Sequence, residues 1–454
     1  MTPRKPVLIE LPAAADAAER LLALHAGNPD FYPAFLDSAA AGGVLGRFSL
    51  LLAAPGSRLE LDRLGRVAGP GQGDGFCARL NTWWRAEHGP PPPPPWPFAG
   101  GWFLYLGYEL AGEIEPTLEL PGSPLELVAC AVRISAAILL DHQTGRCVAI
   151  GEAGEAAAVQ RLAADFAAYR PLRNDAPYSA APAIVEDDPE DYLEACRRAL
   201  GHIAAGDVYQ ANLARSWRVP MPAGASVTGL YRRLRDANPG AFAGLARLPG
   251  FDLLSSSPER LVRVRGRQVD TRPIAGTRPR QGAGDAGAIA ELTGSAKEQA
   301  EHVMLIDLER NDLGRLCEAG TVRVDEFMVV ESYAHVHHIV SNVSGTLRGD
   351  VEPGDVIRAL FPGGTITGCP KVRCMQLIAE LETRGRGAYT GAMGYLALDG
   401  SLDLNILIRT MTVRNGEIEL RAGAGIVADS QPARELEETR AKARGLLRAL
   451  GSPA

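Results

Sequence analysis

Phe361-Pro-Gly-Gly-Thr-Ile-Thr-Gly-Cys-Pro-Lys-Val-Arg-Cys-Met-Gln-Leu-Ile-Ala-Glu-Leu-Glu382 is the stretch that decides how this chain is read. A Gly-rich turn, two hydroxyls, Lys371 and Arg373 are crowded ahead of an apolar run suited to a helix. Backbone amides at a helix start favour anions, and the two cations are expected to reinforce that preference. Gly363-x4-Gly368 has phosphate-loop spacing, but Cys369-Pro370-Lys371 follows where that loop needs Lys and then Ser or Thr. A nucleotide site is therefore disfavoured.

The rest of the composition is that of an ordinary globular protein. The 454 residues are 46% hydrophobic and 22% charged, with a net charge of −7. That length leaves room for more than one domain and a large core. The acidic balance disfavours nucleic acid as a partner. No apolar run reaches about 18 residues, and no signal-type core follows Met1, so the expectation is a cytoplasmic chain with no membrane partner. The cysteines are scattered singly, which suggests neither a disulfide framework nor zinc. None lies in a Gly-x-Cys-x-Gly setting, so no glutaminase nucleophile of that type is present. Cys369 reads as a small residue filling a tight space, with no base beside it.

Two breaks divide the chain, the proline run Pro90 to Pro95 and the polar segment Arg170 to Pro189. They suggest an N-terminal subdomain over 1–175 and a second domain over 176–454. Asp188-Pro189-Glu190 reads as a helix opening, with Asp188 as the cap. Helices are expected at 191–205, 296–309 and 432–449. Strands are expected at Ala129 to Leu140, Leu261 to Val264, Ile339 to Val343 and Ile406 to Val413, with hairpin turns at Arg265-Gly266-Arg267 and Arg414-Asn415-Gly416. The fold class is α+β, with large antiparallel sheets and helices packed on them.

The carboxylates are less decisive. Ser295-x-x-Glu298 has the form of a capping box, which gives Glu298 a structural task. Glu301 falls on the stripe of Met304, Leu305 and Leu308, where a carboxylate must be paired or bind a cation. A salt bridge to Arg310 or Arg315 and a metal site are both open. Glu435, Glu437 and Glu438 crowd the first turns of the last helix, where acidic residues also suit the helix dipole. His335, His337 and His338 lack the companions of a zinc site; His338 alone, as a hydrogen-bonding or proton-transfer group, is the better reading.

Several ordered segments then point one way. They include Ser257-Pro258-Glu259-Arg260, Arg272-Pro-Ile-Ala-Gly-Thr-Arg278 and Glu301-His-Val-Met-Leu-Ile-Asp-Leu-Glu-Arg-Asn-Asp312. Val336-His-His-Ile-Val-Ser341, Gly391-Ala-Met-Gly-Tyr395, Ile408-Arg-Thr410, Gly423-Ala-Gly-Ile-Val-Ala-Asp-Ser430 and Glu438-Thr-x-x-Lys442 continue the series. With the opening stretch they resemble the chorismate-binding enzymes: the large subunits of anthranilate synthase and aminodeoxychorismate synthase, with isochorismate and salicylate synthases as relatives. The resemblance is dense over about 190–450. It implies an anthranilate synthase component I-like sandwich with helices outside.

Residue roles follow from the resemblance. Glu301 and Glu438 match Mg²⁺-holding carboxylates, with Glu435 adjacent, the ion gripping the ring carboxylate of chorismate. Gly423, Gly425 and Thr365 complete that carboxylate site, and Arg409 and Tyr389 take the enolpyruvyl carboxylate. Lys371 is an additional electrostatic anchor. Glu259 and His338 occupy acid/base positions. Ammonia supplies the nitrogen, and since no glutaminase segment is evident in the sequence, a separate glutamine amidotransferase subunit is expected to deliver it.

Gln210 stands where the isochorismate and salicylate synthases carry a lysine that activates water, which favours the ammonia-using branch. Within that branch, Tyr209-Gln-Ala-Asn-Leu213 and the Pro362-Gly363-Gly364 turn resemble aminodeoxychorismate synthase component I, the favoured reading. Ala275 and Tyr389 lean toward anthranilate synthase component I. Ala275 stands where many aminodeoxychorismate synthases have a nucleophilic lysine, and alanine cannot attack. Thr277 is a candidate positioning hydroxyl. A non-catalytic binding scaffold is a minor alternative.

Overall fold

The computed structural model describes residues 5–40, 46–169, 178, 183–280, 285–294, 296–332 and 336–452. Its organising element is the strand Leu127–Asp141, buried along nearly its whole length by an almost continuous apolar run. One edge of this strand pairs with Phe48–Asp62; the other takes Gly101–Leu106 and then Cys147–Gly151. Two antiparallel arms extend from it. The first passes through Ala34–Asp37, Phe242–Leu248, Phe251–Ser257, Thr410–Arg414 and Glu417–Ile426 to Gln210–Pro220. The second passes from Gly101–Leu106 through Ala392–Ala397, Leu402–Ile406, Arg260–Arg265 and Gln268–Thr271 to Val336–Thr346, which Ile274–Pro279 and Arg323–Ser332 flank.

Phe103, Tyr105, Leu253 and Met393 meet in the core between the arms. Alternation along each strand sends the other side chains outward, where helices cover them. Phe76–Glu87, Pro353–Leu360 and part of Ala296–Gly314 cover the second arm. Ala17–Gly27, Ala156–Ala167, Val227–Ala237 and Pro432–Ala449 cover the first. This is the expected α+β sandwich. The expected boundary near residue 175 falls outside the described residues, and strands from both sides of it pair directly. Among the described residues no helix is long and apolar enough to cross a membrane.

Local signals in the sequence have visible causes. Asp188 accepts the Glu190 amide at 2.9 Å and opens the Pro189–Ala204 helix. Arg414 pairs with Glu417 across Asn415-Gly416, both at positive φ (51° and 75°), the twist a two-residue hairpin requires.

Two expectations need correction. Ile406 to Val413 is not one strand: Leu402–Ile406 ends, Thr410–Arg414 begins, and Arg409 between them turns left-handed at φ 52°. The backbone leaves the ladder there because Leu407 donates to the Gly391 carbonyl (2.7 Å) while Ser256 takes the Arg409 carbonyl (3.0 Å). The helix expected over 296–309 continues to Gly314; Ser295, its expected cap, lies outside the described residues.

Candidate active site

Glu259 lies just past the Phe251–Ser257 strand, in a corner where its own amide donates to Ser257 Oγ (3.3 Å). Its side chain is buried, and Oε1 accepts the Thr365 hydroxyl at 2.8 Å. Thr365 stands on the single turn Gly364–Ile366, so the Gly-rich signature is folded directly onto this carboxyl. Burial pushes the Glu259 carboxyl up to about 7, and the nearby Glu309 charge adds to it; the Thr365 bond and the Lys442 charge oppose. A carboxyl that holds its proton near neutrality can act as a general acid.

His338 comes from the Val336–Thr346 strand, and its Nδ1 lies 3.4 Å from the Gly276 carbonyl. Burial, seconded by the Arg409 charge against the helping Gly276 carbonyl, lowers its proton affinity to about 4, so the ring is neutral at pH 7. Thr277 is the backbone partner of His338 on the neighbouring strand; its hydroxyl is not among the described side chains.

The broken strand delivers Arg409 to the same space. Burial lowers its proton affinity, and Tyr389, Glu259 and Glu438 face it from around the site. No carboxylate among the described residues pairs with it within 4 Å. An unpaired, partly buried guanidinium beside a phenol suits a carboxylate ligand, which its fork can grip with two bonds.

The floor is the ladder between Gln210–Pro220 and Glu417–Ile426, where Gly425 opposes Asn212 and Gly423 opposes Ala214. The glycines make room for side chains lying across the strand. A Cβ on Gly425 would stand 2.1 Å from Gln210 Nε2, and one on Gly423 would stand 2.9 Å from the Tyr389 hydroxyl. Gln210 Oε1 and Asn212 Oδ1 are buried acceptors without a hydrogen-bond partner among the described residues. Such atoms call for a donor from a ligand or water.

Alongside runs a cleft of about 1040 Å³, lined by Glu301, Met304, Leu308, Tyr209, Cys369 and Val427. The Cys369 thiol is pushed up by burial, which leaves it unsuited to nucleophilic attack. Glu438 is half exposed; its Oε1 is 2.7 Å from Lys442 Nζ, which also donates to the Gly423 carbonyl (3.0 Å). Glu435 is buried and acts on Tyr192 and Cys196 of the Pro189–Ala204 helix. No three His, Cys, Asp or Glu side chains converge as a metal cage among the described residues. Carboxylate oxygens such as those of Glu301 and Glu438 are the hard donors that Mg²⁺ takes, with water and substrate oxygens completing its shell. Glu438 is thus paired with the Lys442 ammonium.

Lys371 and Arg373, expected to favour an anion, each have a protein carboxylate as partner. Lys371 is paired with the buried Asp312 and donates to the Leu360 carbonyl (3.3 Å), while Arg373 reaches Asp207 at 3.1 Å. Charged pairs satisfied in this way brace the turn. Arg310, one suggested partner for Glu301, pairs with Asp307 instead (2.8 Å). Sequence reasoning passed over Glu309, Asn212, Lys442 and Arg386, although three of them lie inside quoted segments; the pattern carries no sign of their burial or partners.

Comparison with known proteins agrees with this geometry. Residues 77–448 match the family described as chorismate binding enzyme. An anthranilate synthase component I-like protein of Synechocystis is 43% identical over 364 residues, 78% of this chain and 73% of the relative. An aminodeoxychorismate synthase component 1 of Bacillus subtilis is 44% identical over 283 residues, 62% of this chain and 59% of the relative. Among solved structures, anthranilate synthase component I from Streptococcus pneumoniae superposes with a TM-score of 0.79 at 29% identity, covering 89% of this chain and 93% of that one. The menaquinone-specific isochorismate synthase MenF of Escherichia coli shares the fold, with a TM-score of 0.72 at 19% identity, over 99% of this chain and 95% of that one. With its signature turn folded onto Glu259 and its glycine ladder open beside Arg409, the chain belongs to the chorismate binding enzyme family.

Proposed function

We propose that the chain aminates chorismate to 4-amino-4-deoxychorismate, as component I of an aminodeoxychorismate synthase. The observation that carries amination is Gln210. Its buried Oε1 has no partner among the described residues and can accept from the N–H of ammonia, whereas no basic nitrogen stands there to activate water. Arg409 and Tyr389 hold the enolpyruvyl carboxylate, and the backbone beside Gly423 and Gly425, with Thr365, receives the ring carboxylate. Glu259 gives its proton to the departing C4 hydroxyl, which leaves as water as ammonia bonds to the ring, and the resulting ammonium returns a proton to the Glu259 carboxylate, while neutral His338 orients the ring substituents. Mg²⁺, held by Glu301 and Glu438 with Glu435 behind them, would supply Lewis-acid help to that departure. Lys371 acts at a distance, through Asp312, as a brace. Ammonia comes from a separate glutamine amidotransferase subunit.

The Gly363 turn supports the aminodeoxychorismate reading. A Cβ there would stand 2.8 Å from Ile406 Cδ1, so the alanine that anthranilate synthases tend to carry would need the end of that side chain to shift. Anthranilate formation with release of pyruvate is the second reading. Ala275, buried beside the bulge at Gly276, supports it, and several of the similar proteins carry that name. The full chain with chorismate, ammonium and Mg²⁺ is expected to yield an aminated product that keeps its enolpyruvyl group, by mass spectrometry, with no pyruvate and no turnover in EDTA. Anthranilate with matching pyruvate would replace this reading with the second; turnover without ammonia would end both.

A single added methyl tests the floor. In Gly425→Ala the atoms nearest the new Cβ belong to the flexible end of Gln210, so the fold should survive while the amide is displaced. The expected result is an unchanged melting temperature with kcat/KM for ammonia down about 10²-fold, the scale of a small misplacement. Wild-type kinetics would show that Gln210 does not position the nucleophile.

A further inference from the structure

The Gly364-Thr365 turn carries a carboxyl on each of its two residues. Glu259 accepts the Thr365 hydroxyl at 2.8 Å. Glu309, reaching in from the Ala296–Gly314 helix, lies so close to Gly364 that a Cβ there would stand 3.2 Å from its Oε1. The two side chains are 5% and 7% exposed, and neither has an ion-pair partner among the described residues. The groups facing them are few. Arg409 and Lys442 act on Glu259, while Asp312 and Lys371 act on Glu309.

We propose that Glu309 is a positioning residue whose charge, delivered through this shared turn, keeps the proton on Glu259 until substrate takes it. The inference rests on the reading of Glu259 as the proton donor. Two carboxyls sealed into one buried turn cannot both ionise without strong mutual repulsion, so they titrate as a pair that retains a proton. Burial, with Asp312 adding and Lys371 opposing, holds Glu309 at about 7, beside a Glu259 pushed to the same range. Asp312 spends its own charge on Lys371, which leaves Glu309 as the acid whose charge raises the donor's proton affinity. Glu309 sits behind the turn, against Gly364, and does not line the cleft that holds Glu301.

The test is the titration of Glu259 in the full chain carrying ¹³C-carboxyl glutamate, its signal assigned by its absence from Glu259→Gln. In Glu309→Gln the neutral amide can still accept from the Gly364 amide. The Glu259 midpoint should fall by about one pH unit, and the alkaline limb of kcat/KM should move down with it. Asp312→Asn, which eases ionisation of Glu309, should move both upward and serves if Glu309→Gln does not fold. A folded Glu309→Gln protein with an unmoved Glu259 midpoint overturns the proposal, even if its rate is lower. Full activity in Glu259→Gln would instead remove the proton-donor reading, while the midpoint still reports on Glu309.

Discussion

Glu259→Gln is expected to cut turnover of chorismate by about 10²–10⁴-fold, the usual contribution of a general acid, with little effect on chorismate binding. The amide has the shape of the carboxyl and can still accept the Thr365 hydroxyl bond of 2.8 Å, so the turn should keep its place. What it lacks is a transferable proton. The pH profile carries the argument. The wild-type carboxyl, pushed up mainly by burial to about 7, must be protonated to act, so activity should fall as pH rises through neutrality. That limb should vanish from the residual activity of the variant. Stability gives an independent sign. A carboxyl that binds its proton more tightly folded than unfolded withdraws stability as pH rises above its unfolded value and through its folded one. The amide does not titrate, so the variant should lose less stability than the wild type between about pH 5 and 8. Parallel pH–stability curves together with near-normal turnover would show that Glu259 is only a buried acceptor.

The second large effect is structural. Arg386 is almost wholly buried and holds five groups: both Glu382 carboxylate oxygens (2.5 and 2.9 Å), the carbonyls of Asn212 (2.7 Å) and Ile366 (3.1 Å), and the Thr390 hydroxyl (3.3 Å). Ile366 belongs to the signature turn, and Asn212 flanks the glycine ladder. One guanidinium therefore ties the two walls of the site together. Arg386→Met should cost about 3–5 kcal/mol, because it leaves Glu382 a buried charge without its counter-ion. In a chain of this size that is a drop in melting temperature of about 3–5 °C. Adding Glu382→Gln should restore part of the loss, since the penalty lies in the orphaned charge. An unchanged melting temperature for Arg386→Met would mean that the network is not coupled to folding.

Much of this was legible beforehand, for different physical reasons. Hairpins and caps were readable because Asn415-Gly416 and Asp188 act through their own backbones. The buried Leu127–Asp141 strand was readable from an apolar run. Glu259, Arg409, Tyr389 and the glycines came from motif resemblance, and the fold brings them around one space. The pairing of Lys371 with Asp312 was not legible because the partner is distant in sequence, and an ion pair of that kind leaves no periodic trace. Glu309 was hidden for the same reason: on a helix whose buried positions include His302, Glu309 and Asp312, hydrophobic spacing does not report which face is inside. The break at Arg409 was missed because it depends on Gly391 and Ser256, carried by other strands.

The pairing of early strands with late ones has a consequence for how the molecule is made. Thr410–Arg414 and Glu417–Ile426 fill the space between Phe251–Ser257 and Gln210–Pro220, and Ala392–Ala397 closes on Gly101–Leu106. During synthesis, hundreds of residues leave the ribosome before the strands that complete their sheets exist. Until then those edges offer open hydrogen-bonding ladders to any neighbouring chain. Nascent copies of this protein must wait with unfinished edges, which makes the interval before release, more than the stability of the finished fold, the period when it needs protection from aggregation.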